Sequence, residues 1–363
     1  MKLRLRSGVG ISQRMFSRRT LLHGCLHGGL AGGLGLLSPA VFFGETGQQA
    51  IQDFVTPATD RSIDNGLRFL AGQQTEDGAF GTSGYQRNVA ICALSGMAMM
   101  ASGSTPGRGP YGKPLDRCVD YLLENTQQNG FICDAPASSH GPMYGHGFAT
   151  LFLAQAYGMA SHPQLREKLS LAVKLICSTQ NPEGGWRYQP QPTEADISVT
   201  VCQMMALRSA RNAGLHVPNQ TVDRCIDYVR KSQNSDGGFR YMLSGGPSDF
   251  PRSAAGVVAL FSAGVYEGDA IKRGLVYLSR FVPRRRRFVR TSHYFYGHYY
   301  AVQAMWHAGD AAWDAWYPAI RDELLGMQKP DGSWADAICS EYATAMACII
   351  LQMPNNNLPI FQR

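Results

Sequence analysis

The nine cysteines of this chain include no Cys-x-x-Cys pair, so the ligand spacing of a zinc ribbon is missing. Little of the sequence reads as strand. Charge of one sign is also scarce once the first forty residues are set aside. Residues 1–40 hold Lys2, Arg4, Arg6, Arg14, Arg18 and Arg19 and no acidic residue, while the remainder carries 28 Lys and Arg against 27 Asp and Glu. The formal charge of +7 thus falls to +1, too little for the basic face that nucleic acid requires, and no nucleic-acid partner is expected. One basic run remains, Arg284 to Arg287 with Arg290. It reads as a solvated charge cluster, with a peripheral membrane contact as the alternative.

The first forty residues carry an address rather than a fold. Ser17-Arg18-Arg19-Thr20-Leu21-Leu22 resembles a twin-arginine export signal, a glycine-rich apolar run follows from Leu21 to Leu37, and Ser38-Pro39-Ala40 offers small residues for cleavage. The expected layout is an export signal over 1–40, a linker over 41–60, one domain over 61–353 and a C-terminal tail over 354–363, with the protein in the periplasm or cell envelope. An uncleaved anchor is the alternative. Eight cysteines remain beyond the signal, and they read as small buried residues of helices, although an oxidising destination permits disulfides.

What the chain does have is a repeat. Gln-x-x-x-Gly-x-(Phe/Trp) occurs at Gln74 to Phe80, Gln180 to Trp186, Gln233 to Phe239 and Gln328 to Trp334, and Gln128-Asn129-Gly130-Phe131 reads as a contracted copy. A period near fifty residues means stacked supersecondary units. The gap after Phe239 spans two periods, which places a hidden unit near Phe281 to Phe288. Before each copy runs an amphipathic stripe: Ile63/Leu67/Leu70, Leu115/Val119/Leu122, Leu169/Val173/Ile176, Val222/Ile226/Val229 and Ile271/Leu275/Leu278. The i, i+4, i+7 spacing marks a helix with one buried face. After each copy comes a helix apolar nearly all round, as in Gly147 to Ala160, Ser198 to Ala210, Ser253 to Val265 and Tyr342 to Met353. Such a helix is covered on every side. Six pairs of outer and inner helices are therefore expected, with glycine turning the chain and the motif glutamine satisfying helix-end carbonyls.

These motifs, their spacing and the alternating helices resemble the prenyltransferase and squalene oxidase repeat family, which includes squalene-hopene cyclases and protein prenyltransferase β subunits. The resemblance spans about Arg61 to Met353 and implies an all-α fold, an (α/α)6 toroid of six helical hairpins. If the inner helices run parallel, their N-termini meet at one mouth. The residues brought there are Arg87-Asn88, Tyr144-Gly145-His146, Glu194-Ala195-Asp196, Pro251-Arg252-Ser253, the run His293 to Tyr299 with Tyr296 and His298, and Cys339-Ser340-Glu341-Tyr342. Helix N-termini with two arginines and three histidines make an anion-friendly rim. Below it, Phe152, Met204, Met205, Phe261, Trp306 and Met346 are expected to line an apolar well suited to an isoprenoid or its diphosphate.

Glu194-Ala195-Asp196-Ile197 looks like a damaged form of the Asp-x-Asp-Asp acid motif of squalene-hopene cyclases, with Asp196 on its proton-donating carboxyl and Glu194 as partner. Protonating an alkene needs a carboxylic acid kept neutral and dry. The resemblance to prenyltransferase β subunits implies zinc, for which Asp336, Cys339 and His298 form a loose echo that matches neither their order nor their spacing. The expected ligand-binding set is Arg87, Tyr144, His146, Arg252, His293, Tyr296, His298, Tyr299, Trp306 and Glu341. Three readings stay open: a terpenoid-cyclase-like or prenyltransferase-like enzyme, a noncatalytic binding toroid, and an α/α-barrel carbohydrate enzyme using Glu194, Asp196 and Glu341. Whether two chains pair as a homodimer is also open.

Overall fold

The computed structural model describes residues 54–134, 141–283 and 293–362. The expected export signal, the Arg284–Arg287 cluster and most of the hidden repeat lie outside the described residues.

Among the described residues, twelve α-helices alternate between an outer and an inner ring. The outer helices are α1 (Pro57–Gln73), α3 (Gly112–Glu124), α5 (Leu165–Ser178), α7 (Asn219–Lys231), α9 (Asp269–Leu278) and α11 (Asp310–Met327). The inner ones are α2 (Val89–Ala101), α4 (Pro142–Ala156), α6 (Ile197–Asn212), α8 (Phe250–Ser262), α10 (Tyr294–Ala308) and α12 (Ser340–Leu351). Each inner helix packs on the next, and α12 closes the circle against both α2 and α1. The expected toroid is what forms.

The two rings differ because their sequences do. The stripes Ile63/Leu67/Leu70 and Leu115/Val119/Leu122 are buried while the opposite faces of α1 and α3 meet water. Inner helices are buried on every side, so α6 hides Val199, Val201, Cys202, Met204, Met205, Ala206 and Leu207 together. Full burial of one Leu or Met side chain contributes about 1.5–3 kcal/mol. That term, summed over six inner helices, outweighs the weak helix propensity of β-branched runs such as Ile197-Ser198-Val199-Thr200-Val201.

The repeat motif is the joint between units. Gln180 donates through Nε2 to its own turn at the Gly184 carbonyl (2.8 Å) and to the Thr221 carbonyl of the next outer helix (2.9 Å). Gln74 does the same to Gly78 and Pro114, and Gln233 to Gly237 and Ala270. The sixth copy closes the ring, for Gln328 donates to Gly332 and to Ser62 of α1. The motif glycine must be glycine. Gly184 sits at φ +101°, and a Cβ there would lie 2.2 Å from the Arg224 carbonyl of α7. The motif aromatic then donates its N–H to a hydroxyl on the following inner helix: Trp186 to Thr200, Phe239 to Ser253 and Trp334 to Thr344.

One sequence reading needs correction. The copy at Gln128 is not contracted: the turn hydrogen bonds place Gly130 at the glycine position, so Thr126 stands where glutamine would and Ile132 where the aromatic would. The expected C-terminal tail, residues 354–363, packs against the barrel as far as it is described. Leu358, Ile360 and Phe361 are buried in short 3-10 turns laid across the C-terminal ends of the inner helices. Asn357 donates to the Ala101 carbonyl, the Ile360 N–H donates to Gln155 Oε1, and Arg208 donates to the Gln362 carbonyl. All eight cysteines from Cys92 to Cys348 are free thiols, seven of them buried. No described helix is long and apolar enough to cross a membrane.

Candidate functional site

Parallel inner helices bring six N-termini to one end, and a cavity of about 600 Å³ opens there. Its walls come from the first two turns of every inner helix and from the loops that lead into them. Asn88, Ala90, Ile91 and Leu94 belong to α2 and its cap, Tyr144, Gly145 and Phe148 to α4, Ser198 to α6, Pro251 and Arg252 to α8, Tyr296 to α10 and Tyr342 to α12. Tyr85, Tyr188, Tyr241 and Ile338 enter from the loops.

Six tyrosines therefore face one space. Tyr188 and Tyr241 join hydroxyl to hydroxyl at 2.5 Å, Tyr144 packs its ring 6.0 Å from that of Tyr188, and Tyr296 donates to the Ser198 carbonyl at 3.0 Å. Burial pushes the phenols of Tyr144, Tyr241, Tyr296 and Tyr342 well above the ordinary tyrosine range, so they remain neutral. Their faces present π density to whatever enters. Among the described residues of the wall, the charged side chains are Asp249 and Arg252 at the start of α8, and the imidazole of His293 stands at the start of α10. Asp249 is committed to its own helix, accepting from the Phe250 N–H. Arg252 donates to the Pro247 carbonyl and leaves its Nε without a partner.

Four of the ten residues expected to bind a ligand line this cavity: Tyr144, Arg252, His293 and Tyr296. The other six do not, each for a physical reason. Arg87 adopts φ +60° and turns outward to pair with Asp77. His146 is a structural joint: its Nδ1 accepts from the Ile132 N–H at 3.1 Å, the part played elsewhere by Thr200, Ser253 and Thr344. Its Nε2 lies 3.2 Å from the Ala172 carbonyl, which fixes the proton on that nitrogen. His298 packs among the rings of Phe250, Tyr294 and Trp316, and Tyr299 is sealed against Phe148 and Tyr300. Trp306 donates to the Phe361 carbonyl at the opposite end of the barrel. Glu341 turns to the neighbouring unit, accepting from Thr82 Oγ1 at 3.0 Å.

The expected acid occupies an intermediate position. Asp196 is the N-cap of α6, its Oδ1 accepting from the N–H groups of Ser198 and Val199 at 2.9 Å each. It is fully buried, its Oδ2 has no hydrogen-bond partner, and it stands behind the cavity wall rather than in it. Burial raises its pKa from the usual 3.8 to about 6, against the opposing pull of the Ser198 and Val199 N–H groups, Arg187 and Tyr241. Glu194 is not its partner. That side chain is exposed and ion-paired with Arg187.

The apolar well is shallower than expected. Phe152, Met204, Met205, Phe261 and Met346 are buried but none lines the cavity, because their rings and chains fill the hub. The zinc echo also fails on geometry: His298 is enclosed by aromatic rings, Asp336 accepts from the Ile338 N–H, and Cys339 accepts from the Tyr342 N–H. Among the described residues no group of three or more His, Cys, Asp or Glu could hold a metal ion. Sequence reasoning missed Tyr85, Tyr188, Tyr241, Ile338 and Phe148. A signal existed for two of them, since Tyr188 and Tyr241 each follow the motif aromatic by two positions.

No curated protein matches the sequence. Among solved structures, the chain is similar to the type II terpene cyclase MstE from Scytonema, at 17% identity and a TM-score of 0.60 over 83% of this chain and 99% of that one. It is similar to a cellobiose 2-epimerase from Bacillus thermoamylovorans, at 12% identity and a TM-score of 0.62 over 85% and 100% of the two chains. An α-1,6-mannanase of Salegentibacter gives 8% identity and a TM-score of 0.59 over 82% and 99%. At such identities these likenesses concern the fold. The model of the prenyltransferase alpha-alpha toroid domain, however, matches residues 58–171 and 166–258, more than half of the sequence, and the chain belongs to that family.

Proposed function

We propose that this toroid takes an isoprenoid-like apolar molecule into the cup at the N-terminal mouth of its inner helices. The observation that carries this reading is the wall itself: six tyrosines with Ile91, Leu94, Phe148 and Ile338 and, among the described residues, charged side chains at the start of α8 only. A concave, mostly apolar space with few polar groups is the usual form of a small-molecule site. A sugar-cleaving site would need two carboxyls facing one another across the substrate. Here, among the described residues, Asp249 is the one carboxyl in the wall, while Glu194 and Glu341 are committed elsewhere. A variant of the terpene cyclase MstE, similar in fold, has a solved structure in complex with its substrate geranylgeranyl dihydroxybenzoate.

We further propose export through Arg18-Arg19, which would place the cup in the cell envelope. Both ideas meet in one experiment. Protein purified from the envelope fraction is extracted with organic solvent and its intact mass recorded. A co-purifying isoprenoid and a mass lacking the first forty residues are the expected result. A bound glycan would overturn the ligand reading, and retention of the protein in the cytoplasm would overturn export.

A second reading, acid catalysis, is favoured by Asp196. A buried carboxyl with an unpartnered oxygen and a pKa near 6 holds its proton in mildly acidic surroundings, as an alkene-protonating acid must. The test is Asp196→Asn, which keeps the helix cap because asparagine caps as well as aspartate. Conversion of the co-purified lipid should be lost by more than about a hundredfold with the fold intact. Full conversion by the variant would remove Asp196 from the chemistry.

A further inference from the structure

The first joint of the ring has sulfur on both of its sides. Elsewhere the joint side chain of the inner helix meets a small residue of the next outer helix. His146 lies against the Ala172 carbonyl of α5, and the Thr344 side chain stands 3.4 Å from where a Cβ on Gly66 of α1 would be. Cys92 takes that place on α2, following its cap Asn88 as Thr200 follows Asp196 and Ser253 follows Asp249. Cys118 takes the facing place on α3, spaced from Leu115 as Ala172 is from Leu169 and Gly66 from Ile63. Cys92 Sγ lies 3.5 Å from the Gly78 carbonyl oxygen and 4.0 Å from that of Cys118. Cys118 Sγ is 3.4 Å from Gln74 Nε2, and that amide sits 3.2 Å from the same Gly78 oxygen. The two sulfurs thus flank one carbonyl, with the thiols in side-chain contact. Both residues are fully buried.

We propose that Cys92 and Cys118 form a disulfide when the chain meets a small disulfide donor, and that the bond staples inner helix α2 to outer helix α3. The step is two successive thiol–disulfide exchanges. One cysteine, as thiolate, attacks the donor and forms a mixed disulfide while one donor thiolate leaves. The second cysteine gives its proton to solvent, attacks its neighbour's sulfur and expels the other donor thiolate. Two electrons pass from the protein to the donor, which ends as two thiols. Burial and the adjacent Cys118 thiol raise the Cys92 thiol well above its ordinary range, so the attacking thiolate is scarce while the joint is closed. Exchange proceeds when the joint opens, and the restored packing brings the sulfurs together. The bond closes the chain from Cys92 to Cys118 into a loop, which narrows the unfolded ensemble and stabilises the ring. It also fixes the start of α2, whose Asn88, Ala90, Ile91 and Leu94 line the cup. The pairing is independent of what the cup holds.

The experiment uses the full-length purified protein, fully reduced and freed of reductant, incubated with oxidised glutathione in rising but sub-denaturing urea; a parallel sample receives reduced glutathione. Remaining thiols are blocked with a maleimide in denaturant, and the unreduced tryptic digest is read by mass spectrometry, with fragmentation to tell Cys118 from Cys133. The oxidised sample should yield linked peptides joining Cys92 to Cys118, at a rate that climbs with urea, with two fewer labelled thiols and a melting midpoint higher by about 5 °C. Cys92→Ser and Cys118→Ala should each remove the linked peptides and the difference in midpoint between the two samples. Cys225→Ala, at the place of Cys118 in a joint whose inner side chain is Thr200, should keep both. Should a variant fail to fold, the wild-type digest still decides. Absence of the linked peptides from the oxidised wild type, a glutathione adduct at either cysteine in their place, or pairing of Cys92 or Cys118 with any other cysteine overturns the disulfide. A linkage that leaves the midpoint unchanged overturns its role as a staple.

Discussion

His146 and Asp196 show how far a residue's identity can mislead about its task. Each is a titratable side chain at the head of an inner helix, and sequence spacing correctly placed both near the mouth. Their roles were not legible, because what decides them is which backbone N–H they meet. His146 meets that of Ile132 and becomes a joint, while Asp196 meets those of Ser198 and Val199 and becomes a cap with one oxygen to spare. Their burial has a measurable signature. It lowers His146 from the ordinary 6.5 to about 4 and His298 to about 3. As pH falls below 6.5 the unfolded chain takes up protons that the folded chain refuses, so stability is lost on acidification, on the order of 3 kcal/mol or more for each histidine. Asp196 works the other way. Between about 4 and 6 the folded chain retains a proton that the unfolded chain has released, so this residue costs stability as pH rises. Thermal melts from pH 4 to 8 should therefore show a midpoint that climbs toward neutrality. The midpoint of Asp196→Asn should exceed that of the wild type most above pH 6, with the difference closing toward pH 4. A constant difference across the range would mean that Asp196 is not the buried group described.

At the scale of the element, the outer stripes and the glycine turns could be read directly, since periodicity and positive φ are local properties. The glutamine was harder. Its amide was expected to serve its own helix end, and it does reach its own turn, but its second bond crosses to the next unit's outer helix. No sequence rule gives a partner 41 residues away. Among these joints that of Gln328 spans the longest stretch of sequence, because its partner Ser62 is 266 residues distant, and Ser62 Oγ donates back to Gln328 Oε1 at 2.8 Å. Gln328→Ala should lower stability by about 2–4 kcal/mol, since two carbonyls and a hydroxyl lose their partner. It should also raise hydrogen exchange in α1 and α11 above that in α5 and α7. Gln180→Ala should loosen α5 and α7 instead. Indistinguishable exchange maps for the two variants would mean that the glutamines act on the whole ring rather than on single joints.

At the scale of the molecule, the toroid was legible and the bottom of the cup was not. A closed ring follows from counting six pairs, whereas the filling of its hub depends on which of many apolar side chains point inward at the same level. Phe152, Met204 and Met346 could each have walled a shaft, and they plug it instead. The buried turns at the C-terminus were missed for a related reason: with Pro354 and Pro359 in so short a stretch, nothing in the local pattern signals burial. Yet the turns from Asn357 to Gln362 close on the far face of the barrel against four inner helices through Ala101, Gln155, Arg208 and Trp306. The vessel this makes is a thimble and not a pipe. Whatever comes in must back out past the same tyrosines, so a newcomer cannot push its predecessor onward, and the tempo of exchange is set at a single threshold.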